Sequence, residues 1–144
     1  MPSVYVLNGP NLNRLGTREP EIYGSTTFAD LAQICTEEAA ALGLTVEVLQ
    51  TNDEGELIGW LHRAQDERAA VVLNPAAFTH YSYALRDACA MLTTPLVEVH
   101  ISNPAAREEF RHTSVVAGVS TGTIAGFGMD SYRLALRAVA SLLA

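Results

Sequence analysis

Short apolar runs alternate with helical patterns along the whole chain. Four runs have the length and the β-branched residues of buried strands, and they cover residues 4–7, 45–49, 69–73 and 96–101. A fifth short strand is predicted between Val115 and Ser120, ahead of the glycine-rich stretch STGTIAGFG. Each of the four longer runs ends at a polar residue, so none approaches the roughly 20 apolar residues that a bilayer span needs.

Between the predicted strands, apolar residues repeat at helical spacing. Thr26 or Thr27 can cap the first helix, and Gly43 stands where a C-terminal glycine belongs. The apolar positions are Phe28, Leu31, Ile34, Cys35 and Ala39 in the first predicted helix, Leu57, Ile58, Leu61 and Ala64 in the second, Ala84, Leu85, Ala88, Cys89 and Leu92 in the third, and Leu134, Ala135, Ala138, Val139 and Leu142 in the last.

This alternation, with no linker or internal repeat, predicts an α/β fold with helices on both faces of a parallel sheet. The chain has 144 residues, of which 49% are hydrophobic, enough for the core of one ordinary domain. We therefore expect a single domain over residues 1–144. Its expected architecture is a flavodoxin-like three-layer sandwich, whose five-stranded parallel sheet has the strand order 2-1-3-4-5.

Polar clusters follow the first four predicted strands. In chain order they are NGPNLNRLGTREPEIYG, QTNDEGE, NPAAFTH and HISN. In open parallel sheets, ligands bind outside the carboxyl ends of the strands, where the strand order switches, so we expect these clusters to converge on one site. The first cluster is also long for a connection between a strand and a helix, and loops of that length are usually functional or disordered.

Charge and composition narrow the classes of function. The net charge of -7 argues against a nucleic-acid partner, although a small anionic ligand remains open. All nine basic residues are arginine, and without lysine the chain can form neither a Schiff base nor a Walker-type phosphate loop. The start MPSVYVLN has no secretory pattern, and Cys35 and Cys89 fall inside helical patterns. We expect a cytoplasmic protein with two buried thiols and no membrane partner.

Glu98 and His100 alternate with apolar residues along the fourth predicted strand, so their side chains share one face. A buried carboxylate needs a partner, and an imidazole two residues away is near enough to hydrogen-bond with it and to remain a proton donor. Two interpretations stay open at this stage. The pair is either an acid catalyst supported by a carboxylate or a structural ion pair at a strand end.

Two arginine pairings also carry chemistry. Arg18 precedes Tyr23 by five residues. An arginine cation beside a phenol can lower the pKa of the phenol, which could then act as a general base and remove a proton next to a carbonyl group. Arg107 and Arg111 would share a face if AAREEFRH forms a helical turn, and could then bind an anion. The alternatives are a tyrosine packed over a turn and solvated surface ion pairs.

The histidines argue against two further kinds of site. No two of the four histidines have the spacing of metal ligands, so we predict no metal. The stretch from Gly118 to Gly122 matches the G-x-S-x-G nucleophile elbow, but all four histidines precede Ser120. In that fold the histidine follows the serine, so a serine hydrolase is disfavoured.

Five segments together resemble type II 3-dehydroquinase, the 3-dehydroquinate dehydratase family of the shikimate and quinate routes. They are NGPNLNRLGTREPEIYG, QTNDEGELIGWLHRA, NPAAFTHYSYALRDA, EVHISNPAAREEFRHTS and TGTIAGFGMDSYRLALRA, and they cover nearly the whole chain in order. The resemblance implies a cofactor-independent hydro-lyase that converts 3-dehydroquinate to 3-dehydroshikimate by anti elimination of water through an enolate. It also implies a homododecamer built as four trimers.

The same resemblance implies roles for individual residues. Tyr23 would take the C2 proton with Arg18 lowering its pKa, and His100, supported by Glu98, would protonate the departing C1 hydroxyl. The other implied positions are Asn11 for a water on the enolate oxygen, Asn74, Ile101 and Ser102 for the substrate carboxylate, His80 and Arg111 for ring hydroxyls, Arg107 in the lid and support region, and Asp87 from a neighbouring protomer.

Some positions depart from the family pattern. The family commonly has Gly-Ala-Tyr where this chain has Ala76, Ala77 and Phe78, and often has histidine where Asp53 stands. The methyl group of Ala76 would lie near the carboxylate pocket, so these departures bear on substrate affinity more than on the identity of the reaction.

The competing class of function is a non-catalytic flavodoxin-like module that binds a small ligand or signals. A receiver domain, its obvious version, needs an acidic cluster after the first strands and a late lysine. Here the first predicted strand ends in Asn8, and the chain has no lysine.

Overall fold

Five parallel strands form one sheet in a computed structural model that describes all 144 residues. The strands are β1 (Ser3–Asn8), β2 (Thr45–Gln50), β3 (Ala70–Asn74), β4 (Leu96–His100) and β5 (Gly122–Ala125). Their order is β2-β1-β3-β4-β5, with every neighbouring pair parallel. The predicted fold class and strand order are therefore confirmed.

Helices cover both faces of the sheet. They are α1 (Pro20–Tyr23), α2 (Phe28–Ala41), α3 (Glu54–Glu67), α4 (Tyr83–Ala90) and α5 (Asp130–Leu143). Helices α2 and α5 pack on one apolar cluster with Val4, Val6 and Val72. Helices α3 and α4 pack on a second cluster with Leu7, Val71 and Leu73. Successive residues of the central strands alternate between the two clusters, which is why these strands are apolar throughout.

Polar side chains set the starts of two helices. Thr27 caps α2, since its hydroxyl accepts the Asp30 N–H while the Asp30 carboxylate accepts the Thr27 N–H, both at 3.1 Å. Asp53 caps α3 by accepting the Glu56 N–H at 3.1 Å. At the far end of α2, Gly43 has a φ of 75° in the left-handed region where glycine is favoured. The carboxylate at position 53, one of the departures from the family pattern, therefore serves as an N-cap.

The fifth strand was predicted at the wrong place. Residues 115–120 contain a 3-10 turn, Ala117–Val119, and β5 follows at Gly122–Ala125. Val116 is fully buried in the apolar cluster under α4, so its hydrophobic character reflects burial beneath a turn. Strand β5 is a half-exposed edge strand of four residues, and its sequence carries little apolar signal.

The last helix buries a different set of residues from the predicted one. Tyr132, Ala135, Leu136 and Val139 face the sheet and are fully buried, whereas Leu134 and Leu142 are 40% and 52% exposed. Leu134 and Leu142 thus leave apolar surface on the outside of α5. None of the five helices combines the length and the apolar character needed to cross a bilayer.

Ala76 opens the turn after β3 with a backbone conformation that alanine rarely adopts. Its φ is 50°, in the left-handed region, where a Cβ atom crowds the following carbonyl and costs roughly 1–2 kcal/mol. The Asn74 side chain accepts the Ala76 N–H at 3.0 Å and holds this turn beside the carboxyl end of β3. The departure from glycine at this position therefore introduces backbone strain.

Replacing Ala76 with glycine should stabilise the protein. Relief of the left-handed strain, roughly 1–2 kcal/mol, is partly offset by the larger unfolded-state entropy of glycine, about 0.5–1 kcal/mol. We expect Ala76→Gly to raise the free energy of unfolding by up to about 1 kcal/mol in denaturant titrations at a fixed protein concentration. Ala77→Gly is the matched control, because Ala77 has no positive φ and should only lose stability. Equal losses in both variants would contradict the assignment of strain to Ala76.

Candidate active site

A cavity of about 260 Å³ lies where β1, β3 and β4 end. Loops that follow these strands bring together most of the predicted site residues: Asn11, Arg18, Tyr23, Asn74, His80, His100, Ile101, Ser102, Arg107 and Arg111 all line it. Glu98 does not line this cavity but contacts it through His100. A larger neighbouring cavity of about 490 Å³ shares Tyr23 and Arg107 but none of the histidines. The smaller cavity therefore brings the candidate base Tyr23 and the candidate acid His100 together.

Glu98 and His100 form a buried pair on β4. Glu98 is fully buried, and its Oε2 lies 2.5 Å from His100 Nε2. Burial alone would raise the pKa of Glu98, but hydrogen bonds from His100, Thr79 and Ser114 outweigh it and hold the pKa below its ordinary value of 4.5. An ionised carboxylate only accepts, so Nε2 carries a proton and Nδ1 is the ring nitrogen that can exchange one. The predicted pairing on one face of the strand is confirmed.

Two arginines surround Tyr23. The tyrosine ends α1, a single turn that begins at Pro20 and stops at Gly24, whose φ is 78°. The Arg18 guanidinium carbon lies 4.9 Å from the centre of the Tyr23 ring. Arg107 Nη1 donates a hydrogen bond to the Tyr23 hydroxyl at 2.8 Å. Arg18 therefore stacks on the ring, whereas Arg107 makes the contact with the phenol oxygen that the sequence had led us to expect from Arg18.

Arg107 and Arg111 reach the cavity without sharing a helix. Arg111 belongs to the 3-10 turn Glu109–Arg111, whereas Arg107 follows another 3-10 turn, Pro104–Ala106, in extended conformation. The single helical turn considered for AAREEFRH is therefore absent. Arg107 also donates to Ser102 Oγ at 3.2 Å, and its buried Nε has no hydrogen-bond partner. That unpartnered donor in a cavity lined by three arginines indicates a place for an anionic ligand.

His80 and Asn11 each keep side-chain capacity for a ligand. His80 Nδ1 lies 2.8 Å from the Thr113 carbonyl, so it donates there and leaves Nε2 as the free ring nitrogen. Asn11 has a φ of 70°, and its N–H donates to Asn52 Oδ1 at 2.9 Å. Because the backbone of Asn11 is fixed in this way, its side chain can hydrogen-bond inside the cavity.

Comparison with known proteins identifies the family of this chain. The model of the family described as Dehydroquinase class II matches residues 2–140. The chain belongs to this family. A 3-dehydroquinate dehydratase from Salinispora tropica is 64% identical over 138 residues, 96% of each chain. One from Salinispora arenicola is 67% identical over 133 residues, 92% of this chain and 93% of the relative.

The fold is also that of a solved member of the family. The crystal structure of type II dehydroquinase from Propionibacterium acnes superposes with a TM-score of 0.96 and 56% sequence identity. The match covers 98% of this chain and 97% of the other. The class II dehydroquinase architecture therefore extends over essentially the whole molecule.

Asp87 lies apart from the cavity of its own chain. It sits on α4 with its side chain 75% exposed and contacts Arg86 Nη1 at 3.1 Å. A role for Asp87 in the site of the same protomer is thus not supported by its position, and its predicted role in a neighbouring protomer stays a prediction. Across the 144 residues, no three metal-ligating side chains come together as a metal site would require.

Tyr132 is a residue of the site that sequence reasoning did not find. Its hydroxyl donates to Asn8 Oδ1 at 2.7 Å and accepts from Asn74 Nδ2 at 2.8 Å. All three side chains are at least nine-tenths buried, and burial raises the pKa of the Tyr132 phenol, which keeps it neutral and able to donate. Helix α5 thereby orients Asn74 at the end of β3. The sequence signal was a tyrosine on the buried face of an apolar helix.

Removing the Tyr132 hydroxyl should destabilise the protein. Tyr132→Phe removes the hydrogen-bond partner of the buried Asn8 Oδ1 and Asn74 Nδ2 atoms, which costs about 1–3 kcal/mol. We expect a loss of that size in thermal or denaturant unfolding. Tyr83→Phe is the matched control, because Tyr83 is 69% exposed and should change stability little. Similar unfolding midpoints for the two variants would argue against the network.

Proposed function

We propose that this class II dehydroquinase is a 3-dehydroquinate dehydratase, which converts 3-dehydroquinate to 3-dehydroshikimate and water by anti elimination through an enolate. One observation carries the proposal. A tyrosine faced by arginines and a histidine backed by a buried carboxylate line the same small cavity. This pairing of a base with a separate acid is what removal of a proton and departure of a hydroxyl require.

Tyr23 acts as the base that removes the C2 proton. Its hydroxyl accepts a hydrogen bond from Arg107, and Arg18 lies over the ring. Both guanidinium groups therefore lie beside the phenol that the proposed reaction uses. The same cations stabilise the negative charge that spreads onto the substrate as the enolate forms.

His100 acts as the acid that protonates the departing C1 hydroxyl. Its Nε2 is engaged with the Glu98 carboxylate, so the proton to be delivered resides on Nδ1. The acid and the base thus stand in opposite electrostatic surroundings, an anion behind His100 and cations around Tyr23.

The remaining lining residues bind the substrate. We assign its carboxylate to Asn74, Ile101 and Ser102 at the ends of β3 and β4. His80 and Arg111 bind ring hydroxyls, and Asn11 holds a water on the enolate oxygen. All of these residues line the cavity, and Tyr132 holds the Asn74 amide in place. The absence of any carboxylate lining the cavity suits an anionic substrate.

The direct test is turnover of 3-dehydroquinate by the purified protein, followed by ultraviolet absorbance of the conjugated enone product. Tyr23→Phe should fold normally and lose about 100-fold or more of kcat, because it removes the general base. Tyr83→Phe, on exposed α4 surface, is the control for loss of a tyrosine hydroxyl. Wild-type protein that forms no enone would refute the proposed function. Near-normal kcat in Tyr23→Phe would refute only the phenolate mechanism.

We also propose that residues 1–144 form one catalytic domain that assembles into a homododecamer of four trimers in the cytoplasm. Two apolar clusters on either face of one sheet support the single domain. Large exposed apolar residues, among them Met91, Phe127 and Leu142, support burial against other copies. Cys35 and Cys89 are buried free thiols, as in a reducing compartment.

Within this assembly we assign Asp87 to the site of a neighbouring protomer. Its exposure on α4, outside its own cavity, leaves it able to reach an adjacent copy. Tyr23→Phe and Asp87→Ala should each be nearly inactive as pure assemblies. In a mixed oligomer, a site with Tyr23 from one variant and Asp87 from the other becomes complete.

Complementation between the two variants tests the shared site. Co-refolding Tyr23→Phe with Asp87→Ala from denaturant should restore a fraction of the wild-type rate, and mixing the folded variants should restore little until subunits exchange. Asp66→Ala, an exposed substitution near the end of α3, replaces Asp87→Ala in the control refolding that accounts for activity from intact sites. Mixed oligomers detected by native mass spectrometry, with activity no higher than the separate variants, would exclude the role in trans.

A further inference from the structure

Two hydroxyl groups contact Glu98 and have no part in the roles assigned above. Thr79 Oγ1 donates to Glu98 Oε2 at 2.6 Å. Ser114 Oγ lies 2.9 Å from Oε1 and 3.0 Å from Oε2 of the same carboxylate. Neither residue lines the substrate cavity, so each can influence the reaction only through Glu98.

The hydrogen bonds around Ser114 limit where its proton can go. Its oxygen accepts the N–H groups of Val116 at 3.2 Å and Ala117 at 3.0 Å, which occupies both lone pairs. The Thr79 proton therefore goes to Glu98 and not to Ser114, although the two hydroxyl oxygens are 2.6 Å apart. The Ser114 proton is shared between the Glu98 carboxylate and the Thr79 oxygen. The carboxylate thus receives donors from Thr79 and His100, and Ser114 supports it both directly and through Thr79.

These hydrogen-bond donors suit the step of the reaction in which His100 gives up its proton. As the enolate collapses, the His100 proton moves to the C1 hydroxyl oxygen, the C1–O bond breaks, and its electron pair leaves with the water. The enolate electrons form the ring double bond, and the C2 proton remains on Tyr23. The Glu98–His100 pair then passes from neutral to a net negative charge in a buried setting, where unstabilised charge is costly.

We propose that Thr79 and Ser114 are positioning residues that stabilise the negative charge left on the Glu98–His100 pair once its proton has been delivered. The inference rests on the proposed function and deepens it. Hydrogen bonds to a carboxylate favour whichever state of the pair carries more negative charge. The two hydroxyls therefore make the pair a stronger acid, and losing one makes the pair hold its proton more tightly.

No second carboxylate lines the space beside Glu98 and His100, although Arg111, which does line it, pairs with Glu108 at 3.0 Å. A cavity of about 200 Å³ beside the pair is lined by Thr79, Ser114 and three further titratable side chains, His80, Arg111 and His112. On the helical side, Cys89 of α4 is a buried thiol whose pKa is raised to about 12, first by burial and then by the charge of Glu98. These groups are the same in every variant compared below.

Threonine 79 offers the cleaner test, because its hydroxyl contacts only Glu98 and Ser114. Thr79→Val keeps the shape of the side chain and removes the donor. With 3-dehydroquinate as substrate, kcat should fall about tenfold, and the basic limb of its pH profile should move about one pH unit higher, since one unit is a tenfold change in proton affinity. KM should change little. Ser114→Ala should move the profile in the same direction.

Conservative variants separate this role from a merely structural one. Thr79→Ser retains the hydroxyl and should keep the wild-type pH profile. Ser120→Ala is the matched control for Ser114→Ala, because Ser120 Oγ donates to the Val116 carbonyl at 2.9 Å and does not contact Glu98.

Three results would decide against the inference. An unshifted basic limb in Thr79→Val, or a loss in Thr79→Ser as large as in Thr79→Val, would overturn it while leaving the proposed function intact. A wild-type protein without turnover of 3-dehydroquinate would overturn the proposed function, and this inference with it.

Discussion

A fully buried carboxylate ties together the parts of the site. Glu98 accepts hydrogen bonds from its own strand, from the turn after β3 and from the segment that follows Arg111. An unpaired charge at this depth would cost several kcal/mol, so the carboxylate can stay ionised only while all three segments are docked against it. The positions of His100 and of the segment that carries Arg107 and Arg111 therefore depend on the ionised state of Glu98.

On the other face of the sheet, an uncharged hydrogen-bond network holds two strand ends together. The Tyr132 hydroxyl joins Asn8 at the end of β1 to Asn74 at the end of β3. Gly9 continues this contact, since its N–H donates to the Asn74 carbonyl at 2.8 Å and a Cβ there would lie 2.7 Å from the Pro75 oxygen. The two strand ends are therefore held at a fixed separation. The strained turn at Ala76 follows directly on the end of β3 that these contacts hold in place.

The catalytic proposal follows from how charge is divided across the cavity. Arginine cations lie at Tyr23, and a buried carboxylate lies behind His100. Each charge lies where the proposed role of the neighbouring residue requires it. The absence of lysine is consistent with this division, since no Schiff base is available to activate a carbonyl and the site must rely on positioned charge.

Local patterns in the sequence were enough for the fold and for much of the site. Apolar periodicity located four strands and the longer helices, Thr27 and Gly43 marked the ends of α2, and the strand period placed Glu98 and His100 on one face. Polar residues after β1, β3 and β4 converged as parallel topology requires, whereas the expected cluster after β2 does not line the cavity. These features depend on neighbours a few residues apart, and a sequence records such neighbours directly.

What the sequence could not determine depends on contacts between distant segments. Val116 is buried beneath a turn and not in a strand, whereas β5 forms further along the chain by pairing with β4. The contact of Arg107 with Tyr23 joins residues 84 positions apart. Tyr132 meets Asn8 across 124 positions, and Thr79 and Ser114 meet at Glu98 from separate loops. A sequence specifies which side chains are available for such contacts. Only the packing of helices and loops against the sheet selects the partners, because burial makes each polar group depend on whichever donor or acceptor the fold brings to it.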